Sequence, residues 1–171
     1  MRNALFILAI LSVILIAACA PQNPQPEKIG VKSENSVIEK EAKTENSELT
    51  LIGGATAKFY RYNKEHYEKS LSEGKIIFLD FYANWCPICK AESPDIIAAF
   101  NELDNENVVG YRVHFNDNEV TEDDKEMAKK FGITYQHTKV ILNKNGEVAL
   151  KSLEAYSKED TINAINRALG S

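Results

Sequence analysis

The sequence predicts an α/β fold in which a mixed sheet is covered by helices on both faces. Residues 75–82 form a nearly continuous apolar run rich in β-formers, which is typical of a buried central strand. Strand and helix patterns alternate around this run, and an Asn-Gly turn at residues 145–146 predicts a hairpin. The expected order of elements is β-α-β-α-β-α-β-β-α.

The first elements have clear starts and ends. A short strand is expected over residues 57–62, where aromatic and apolar side chains mix. Asn63 is a good N-cap for a helix that runs to about residue 72, and Gly74 can end this helix. The central strand, residues 75–82, follows directly.

A longer helix and a second strand come next. The helix is expected over residues 87–103, with an interruption near Pro94, because proline lacks the N–H that a helix interior requires. Residues 108–115 alternate as a strand does. Thr121 then begins a helix, with Asp124 as a weak variant of the capping box.

The C-terminal part is predicted to contain a hairpin over residues 139–151 and a final helix. Ser157 opens this helix. Its apolar face is expected to carry Ile162, Ile165 and Leu169.

The N-terminus has the pattern of an exported protein. Residues 4–18 are apolar apart from Ser12 and would span about 22 Å as a helix, less than the ~30 Å of a bilayer core. Residues 1–18 are therefore predicted to be a signal peptide. The run ends I-A-A-C at residues 16–19, which resembles the lipobox of prokaryotic lipoproteins. This resemblance implies cleavage before Cys19 and a lipid on its sulfur; an ordinary cleavage site and an uncleaved anchor are the alternatives.

The next segment is poor in apolar residues. Residues 19–55 are predicted to be a flexible tether, because such a segment buries too little surface to offset the entropy of ordering, and residues 56–171 are predicted to be the domain. The formal charge of −5 and the pI near 5.3 argue against nucleic-acid binding, which usually needs a basic face. We expect a monomer attached to a membrane through Cys19.

Two of the three cysteines form a C-P-I-C motif behind the only tryptophan. Residues 80–90, D-F-Y-A-N-W-C-P-I-C-K, resemble the thioredoxin pattern D-F-W-A-x-W-C-x-x-C-K. A proline five residues after the second cysteine, F-G-I at residues 131–133 and K-N-G-E at residues 144–147 agree with further family positions. The resemblance covers about residues 56–170 and implies a thioredoxin-like fold.

The C-x-x-C spacing at a helix start brings both sulfurs within bonding reach. Cys86 at the helix N-terminus is expected to be the exposed, thiolate-rich nucleophile, and Cys89 the buried resolving cysteine. Pro87 suits the first helical turn, where its missing N–H costs nothing. Trp85 is expected either to face substrates or to pack in the core. The resemblance implies that Asp80 is a buried carboxylate that accepts the proton of Cys89; a carboxylate held by a buried partner is the structural alternative.

One position departs from the family. Thr138 occupies the position of the cis-proline that thioredoxins use to pair with substrate backbone and to keep metals off the cysteines; a trans peptide is expected here. His137 precedes this position and is expected to approach Cys86. There it would stabilise a thiolate, move protons or complete a soft Cys2His metal site; a loop histidine in solvent is the alternative.

The leading hypothesis is an extracytoplasmic thiol–disulfide oxidoreductase that acts on exported proteins and exchanges electrons with a membrane donor or acceptor. Its Cys86–Cys89 couple would need no other cofactor. A structural zinc site is disfavoured, because it usually needs four ligands. Residues 120–124 resemble a loop of transmembrane disulfide reductases, which favours reduction or exchange. The alternatives are a static disulfide, a copper metallochaperone that uses Cys86, Cys89 and His137, and a non-catalytic binding module.

Overall fold

The computed structural model describes residues 49–170. The predicted signal peptide, the proposed lipid site at Cys19 and most of the predicted tether lie outside these residues. Within the described part, no helix combines the length and the apolar character that crossing a membrane requires.

Residues 49–170 form six strands and four helices. In chain order they are β1 (Leu51–Gly53), β2 (Lys58–Arg61), α1 (Lys64–Ser72), β3 (Ile76–Tyr82), α2 (Pro87–Glu102), β4 (Val108–His114), α3 (Glu122–Lys130), β5 (Thr138–Leu142), β6 (Val148–Ser152) and α4 (Lys158–Leu169). The predicted order is confirmed from β2 onward.

Strand β1 is an addition to the predicted order, since Leu51–Gly53 falls within the segment assigned to the tether. It pairs antiparallel with β2, with Leu51 opposite Tyr60. Three residues with only partial burial carry no periodic signal, so the strand exists because of its partner and not because of its own sequence.

The six strands form one sheet in the order β1-β2-β4-β3-β5-β6. The central strand β3 is parallel to β4 and antiparallel to β5. Alternate β3 residues enter two cores: Phe78 lies in the core that includes residues of α2 and α4, and Leu79 lies in the core that includes residues of α1 and α3. The strand is therefore buried on both faces, as its apolar run predicts.

The helix starts agree with the sequence. Asn63 accepts a hydrogen bond from the His66 N–H at 2.9 Å, which makes it the N-cap of α1. Thr121 and Ser157 cap α3 and α4 through full capping boxes. Each cap satisfies N–H groups that have no partner within the helix.

One expectation about the helices is wrong and another is confirmed in part. Helix α2 continues through Pro94, which lies on its exposed side, while the buried residues Ile96 and Phe100 anchor the following turns. In α4, Ile165 is buried as predicted and Ile162 packs partly buried against the core. The buried face is completed by Thr161, Ala164 and Ala168, which share the i, i+3, i+4, i+7 spacing of one helix face with Ile165. Leu169 lies one position beyond this face and is 37% exposed.

Candidate functional site

The two cysteines lie where β3 passes into α2. Cys86 is the N-cap of α2, Pro87 follows in the first turn, and the Cys86 sulfur accepts a hydrogen bond from the Cys89 N–H at 3.3 Å. The expectation of an exposed Cys86 is wrong, because Cys86 is 2% exposed and Cys89 is 1% exposed. Both sulfurs belong to a small apolar cluster with Ala83, against which Tyr82 packs.

The proton between the two sulfurs is held by Cys89. Burial, together with a hydrogen bond from the Cys89 thiol to Cys86, raises the pKa of Cys89 to about 12. The negative charge of Asp80 acts in the same direction. The Cys86 sulfur thus receives hydrogen bonds from the N–H and the thiol of Cys89, and Cys89 needs a base before it can react.

Asp80 is buried and paired. It is 1% exposed, and its Oδ2 accepts a hydrogen bond from Nε of Arg112 at 3.1 Å. Arg112 also donates to Ser93 Oγ at 2.8 Å and stacks on the ring of Tyr82. Oδ1 of Asp80 has no hydrogen-bond partner within residues 49–170. The structure therefore supports the alternative of a carboxylate held by a buried partner, with one oxygen left to accept a proton.

A second buried ion pair lies beside the first. Lys139 of β5 contacts Glu92 of α2, and the side chains are 0% and 3% exposed. Nζ of Lys139 also donates to the carbonyls of His137 and Glu154, each at 3.0 Å. Burial raises the pKa of Glu92, whereas the hydrogen bond and the positive charge of Lys139 act to lower it.

The sequence analysis missed this pair. The burial of Glu92 could have been predicted, because Glu92 shares the spacing of one helix face with Cys89 and Ile96, and all three are buried. Lys139 has no comparable signal. A lysine inside the strand T-K-V-I-L is typical of an exposed edge strand, but β5 pairs with β3 on one edge and with β6 on the other.

The loop before β5 brings His137 to the sulfurs. Candidate ligand atoms of Cys86, Cys89 and His137 lie within 4.8 Å of one another. Burial lowers the pKa of His137, so the ring is neutral near pH 7. The alternative of a histidine in solvent is wrong. Thr138 is 2% exposed, and its hydroxyl donates to the Tyr135 carbonyl at 2.7 Å.

Three large apolar side chains are exposed on segments next to the cysteines. Trp85, Ile88 and Tyr135 are 51%, 45% and 61% exposed. Core packing of Trp85 is therefore excluded. Its Nε1 donates to the Asn116 carbonyl at 2.8 Å, which fixes the indole while leaving half of its surface open. Pro87 is also exposed.

Asp117 ties the cysteine loop to the segment after β4. One oxygen, Oδ2, accepts the Asn84 N–H at 2.9 Å and lies 2.8 Å from His114 Nδ1, while Oδ1 accepts the Glu119 N–H at 2.9 Å. Burial alone would raise the pKa of Asp117, but these backbone bonds and His114 together lower it below its ordinary value. The loop that carries Trp85 is thus anchored by a charged group.

Comparison with known proteins agrees with this arrangement. A 45-residue stretch is 40% identical to the thioredoxin-like protein HCF164, chloroplastic, of Oryza sativa subsp. japonica, covering 26% of this chain and 17% of that protein. A 63-residue stretch is 33% identical to a disulfide-isomerase-like protein of Schizosaccharomyces pombe, covering 35% of this chain and 13% of that protein. The chain therefore matches less than a fifth of the length of either relative.

Solved structures extend the likeness to the whole fold. Thioredoxin f from spinach chloroplast, in its short form, has a TM-score of 0.52 and 25% identity, covering 67% of this chain and 96% of that chain. Thioredoxin from Aeropyrum pernix has a TM-score of 0.51 and 20% identity, covering 69% and 91%, and this likeness shows the fold alone. The family model described as Thioredoxin matches residues 58–167. These residues include Cys86, Cys89 and every strand of the sheet except β1. This chain belongs to the thioredoxin family.

Proposed function

We propose that this protein is an extracytoplasmic thiol–disulfide oxidoreductase that reduces or exchanges disulfides in exported proteins. The observation that carries the proposal is the Cys86–Cys89 pair at the start of α2, in which the Cys86 sulfur caps the helix and accepts the Cys89 N–H. A raised pKa keeps the proton on the Cys89 thiol. A static structural disulfide needs neither this proton arrangement nor a buried carboxylate beside it.

The reaction proceeds in two exchange steps. The Cys86 thiolate attacks one sulfur of a substrate disulfide; that S–S bond breaks, and one substrate thiolate leaves. Cys89 then loses its proton to a base and attacks the Cys86 sulfur, which releases the second substrate thiolate and leaves a Cys86–Cys89 disulfide. Two electrons pass from the dithiol to the substrate. A membrane electron donor then restores the dithiol; the opposite direction needs an acceptor.

Asp80 is the base proposed for the second step. Its charge acts on Cys89, and its Oδ1 has no hydrogen-bond partner within the described chain. Arg112 holds the other oxygen, so the carboxylate is kept in place while Oδ1 accepts the proton.

The exposed apolar side chains suit an extended or unfolded protein substrate. Trp85, Ile88 and Tyr135 offer exposed apolar surface next to the cysteines, and such a surface suits contact with a polypeptide. Thr138, which was expected to face the substrate, is the first residue of β5 and is only 2% exposed, so it adds no surface to this contact. The location outside the cytoplasm is supported by the signal pattern of residues 1–18 and the lipobox ending at Cys19.

Trapping of mixed disulfides tests the proposal. Cys89→Ser should accumulate mixed disulfides with exported proteins through Cys86, because the resolving attack is lost, and Cys86→Ser should accumulate none. Cys19→Ser combined with Cys89→Ser is the matched control, since it leaves Cys86 as the one cysteine of the chain and should still trap. Wild type should catalyse insulin reduction by dithiothreitol. Equal trapping by both cysteine variants, or wild type without insulin activity, would refute the assignment.

A further inference from the structure

Three metal-binding side chains meet at the active site from two separate parts of the chain. Cys86 and Cys89 come from the start of α2, and His137 comes from the loop before β5. Their candidate ligand atoms lie within 4.8 Å of one another, so one ion can contact all three after small side-chain shifts. Two thiolates and one imidazole are a soft donor set of the kind that binds Cu(I) or Zn²⁺.

The ring of His137 is oriented for ligation. Its Nδ1 is buried and has no hydrogen-bond partner within residues 49–170. The backbone of Leu153 is a hydrogen-bond partner of the ring, and we assign this bond to Nε2 because Nδ1 has no partner. The bond selects the tautomer in which Nδ1 carries the lone pair. Metal-bound histidines are usually held in this way, with the second ring nitrogen on a carbonyl or carboxylate.

The backbone of His137 is held in an unfavourable conformation. Its φ is 53°, in the left-handed region, which is unfavourable for a residue other than glycine. The His137 carbonyl accepts a hydrogen bond from Lys139, which itself pairs with buried Glu92. The buried ion pair therefore holds the loop in the conformation that brings the imidazole to the sulfurs.

The surroundings favour an ion with three protein ligands. The hydroxyl of Thr138 donates to the Tyr135 carbonyl, and Oδ2 of Asp80 pairs with Arg112. Oδ1 of Asp80 has no partner within the described residues, but Asp80 is not among the residues whose ligand atoms cluster there, which are Cys86, Cys89 and His137. Structural Zn²⁺ sites almost always have four ligands, whereas soft thiolate sites with fewer ligands suit Cu(I).

We propose that the reduced Cys86–Cys89 pair and Nδ1 of His137 bind one Cu(I) ion. Each thiol releases its proton to solvent as its sulfur binds the ion, and no electron is transferred. The Cys86–Cys89 disulfide has no thiolate to offer, so only the reduced protein binds. The proposal does not depend on the oxidoreductase function, because a dithiol that never exchanges with substrates would bind the same ion.

Competition titration of Cu(I) tests the site. The probe is Cu(I) held by bicinchoninate, and the protein is the reduced full-length chain in detergent with Cys19→Ser, so that two thiols remain. One Cu(I) per chain is expected, and none after oxidation with diamide. His137→Asn should weaken Cu(I) binding on the order of 10- to 100-fold. Asparagine tolerates a left-handed backbone but offers no imidazole.

His137→Gly and His66→Gln complete the series. Glycine relieves any backbone strain at position 137 and should show the same loss of affinity as asparagine. His66 on α1 hydrogen-bonds to Tyr111 and is not in the cysteine–histidine cluster, so His66→Gln should bind Cu(I) as tightly as the parent chain.

X-ray absorption of the loaded protein should show two sulfur neighbours and one nitrogen neighbour of copper. Unchanged affinity in both His137 variants, or copper with sulfur neighbours alone, would overturn the proposed site. Zn²⁺ binding that is tighter than Cu(I) binding and equally dependent on His137 would overturn the choice of ion.

Discussion

Asp80 lies among charged side chains that neighbouring strands bring together. In the register of the sheet it is opposite Arg112 of β4 and Lys139 of β5. Paired residues of a sheet point to the same face, so these three charges share the face covered by α2. Glu92 of α2 supplies the second acid on that face and pairs with Lys139. Two acidic and two basic side chains therefore lie under the cysteines, and each is paired with a side chain of opposite charge.

Replacement of Asp80 by asparagine should lower stability and slow exchange. Loss of the charged bond to Arg112 should lower the free energy of unfolding by about 1–3 kcal/mol, measured by urea titration. Insulin reduction near pH 7 should slow, because burial raises the pKa of Cys89 and its proton then lacks an acceptor. Asp95→Asn, on the exposed side of α2, should change neither quantity. An Asp80→Asn variant as stable as wild type would show that the pair adds no net stability.

The charge of Asp117 should make the stability of the protein depend on pH. Its pKa is lowered in the folded state, so its contribution to stability is complete above the unfolded value of about 3.9 and is lost as pH falls through the folded pKa. Asp117→Asn should therefore be less stable than wild type at pH 6, and the difference should close below about pH 3.9. Urea titrations from pH 6 to pH 2.5 measure this, with Asp95→Asn as the control. A difference independent of pH would exclude the charge as its cause.

At the scale of elements, the close approach of α2 to the sheet depends on Gly110 of β4. A Cβ at this position would lie 2.5 Å from Phe100 and 2.6 Å from Phe59. These two rings stack with centroids 5.0 Å apart, between α2 and β2. The absence of a side chain at residue 110 therefore makes room for the largest aromatic contact between these elements.

Gly110→Ala should be destabilising. The added methyl forces the two rings apart, and overpacking of this kind costs about 1–3 kcal/mol. Gly170→Ala at the end of α4 is the matched control, because its Cβ would meet nothing closer than 3.8 Å. Thermal or urea unfolding of the two variants measures the contrast. Equal stability of Gly110→Ala and Gly170→Ala would mean that the rings relax without cost.

At the scale of the whole molecule, the two ends of the sequence are predicted to serve different tasks. Residues 49–170 hold the cysteine pair of the proposed redox chemistry, and the cysteine at position 19 is proposed to attach them to a membrane. Attachment would confine the domain near the membrane electron donor or acceptor that the proposed function requires.

Cys19→Ser should release the protein from the membrane. Serine offers no sulfur for the lipid, so the variant should move to the soluble fraction and lack the mass of the lipid. Its circular dichroism and insulin activity should match wild type, because Cys19 lies outside the folded residues described here. Cell fractionation and mass spectrometry check both points. An unchanged membrane fraction and mass would refute lipidation at Cys19.

Features that depend only on neighbouring residues could be predicted from the amino-acid sequence. The caps at Asn63, Thr121 and Ser157 act within three residues of themselves, and the apolar run of β3 reports burial directly. The C-x-x-C spacing at the start of α2 is local in the same way. None of these features depends on residues across the sheet. The order of strands and helices from β2 onward and the position of the cysteines at the start of α2 could therefore be predicted.

Only the tertiary structure decided which groups surround the sulfurs. Arg112 is 32 residues from Asp80, and Lys139 is 47 residues from Glu92. Their pairing follows from sheet register and from the packing of α2, which no local pattern encodes. Burial of Cys86 and the contact with His137 likewise depend on where the loop before β5 lies. A side chain's chemistry can be read from its own residue type, but its partners and its exposure are set by distant parts of the chain.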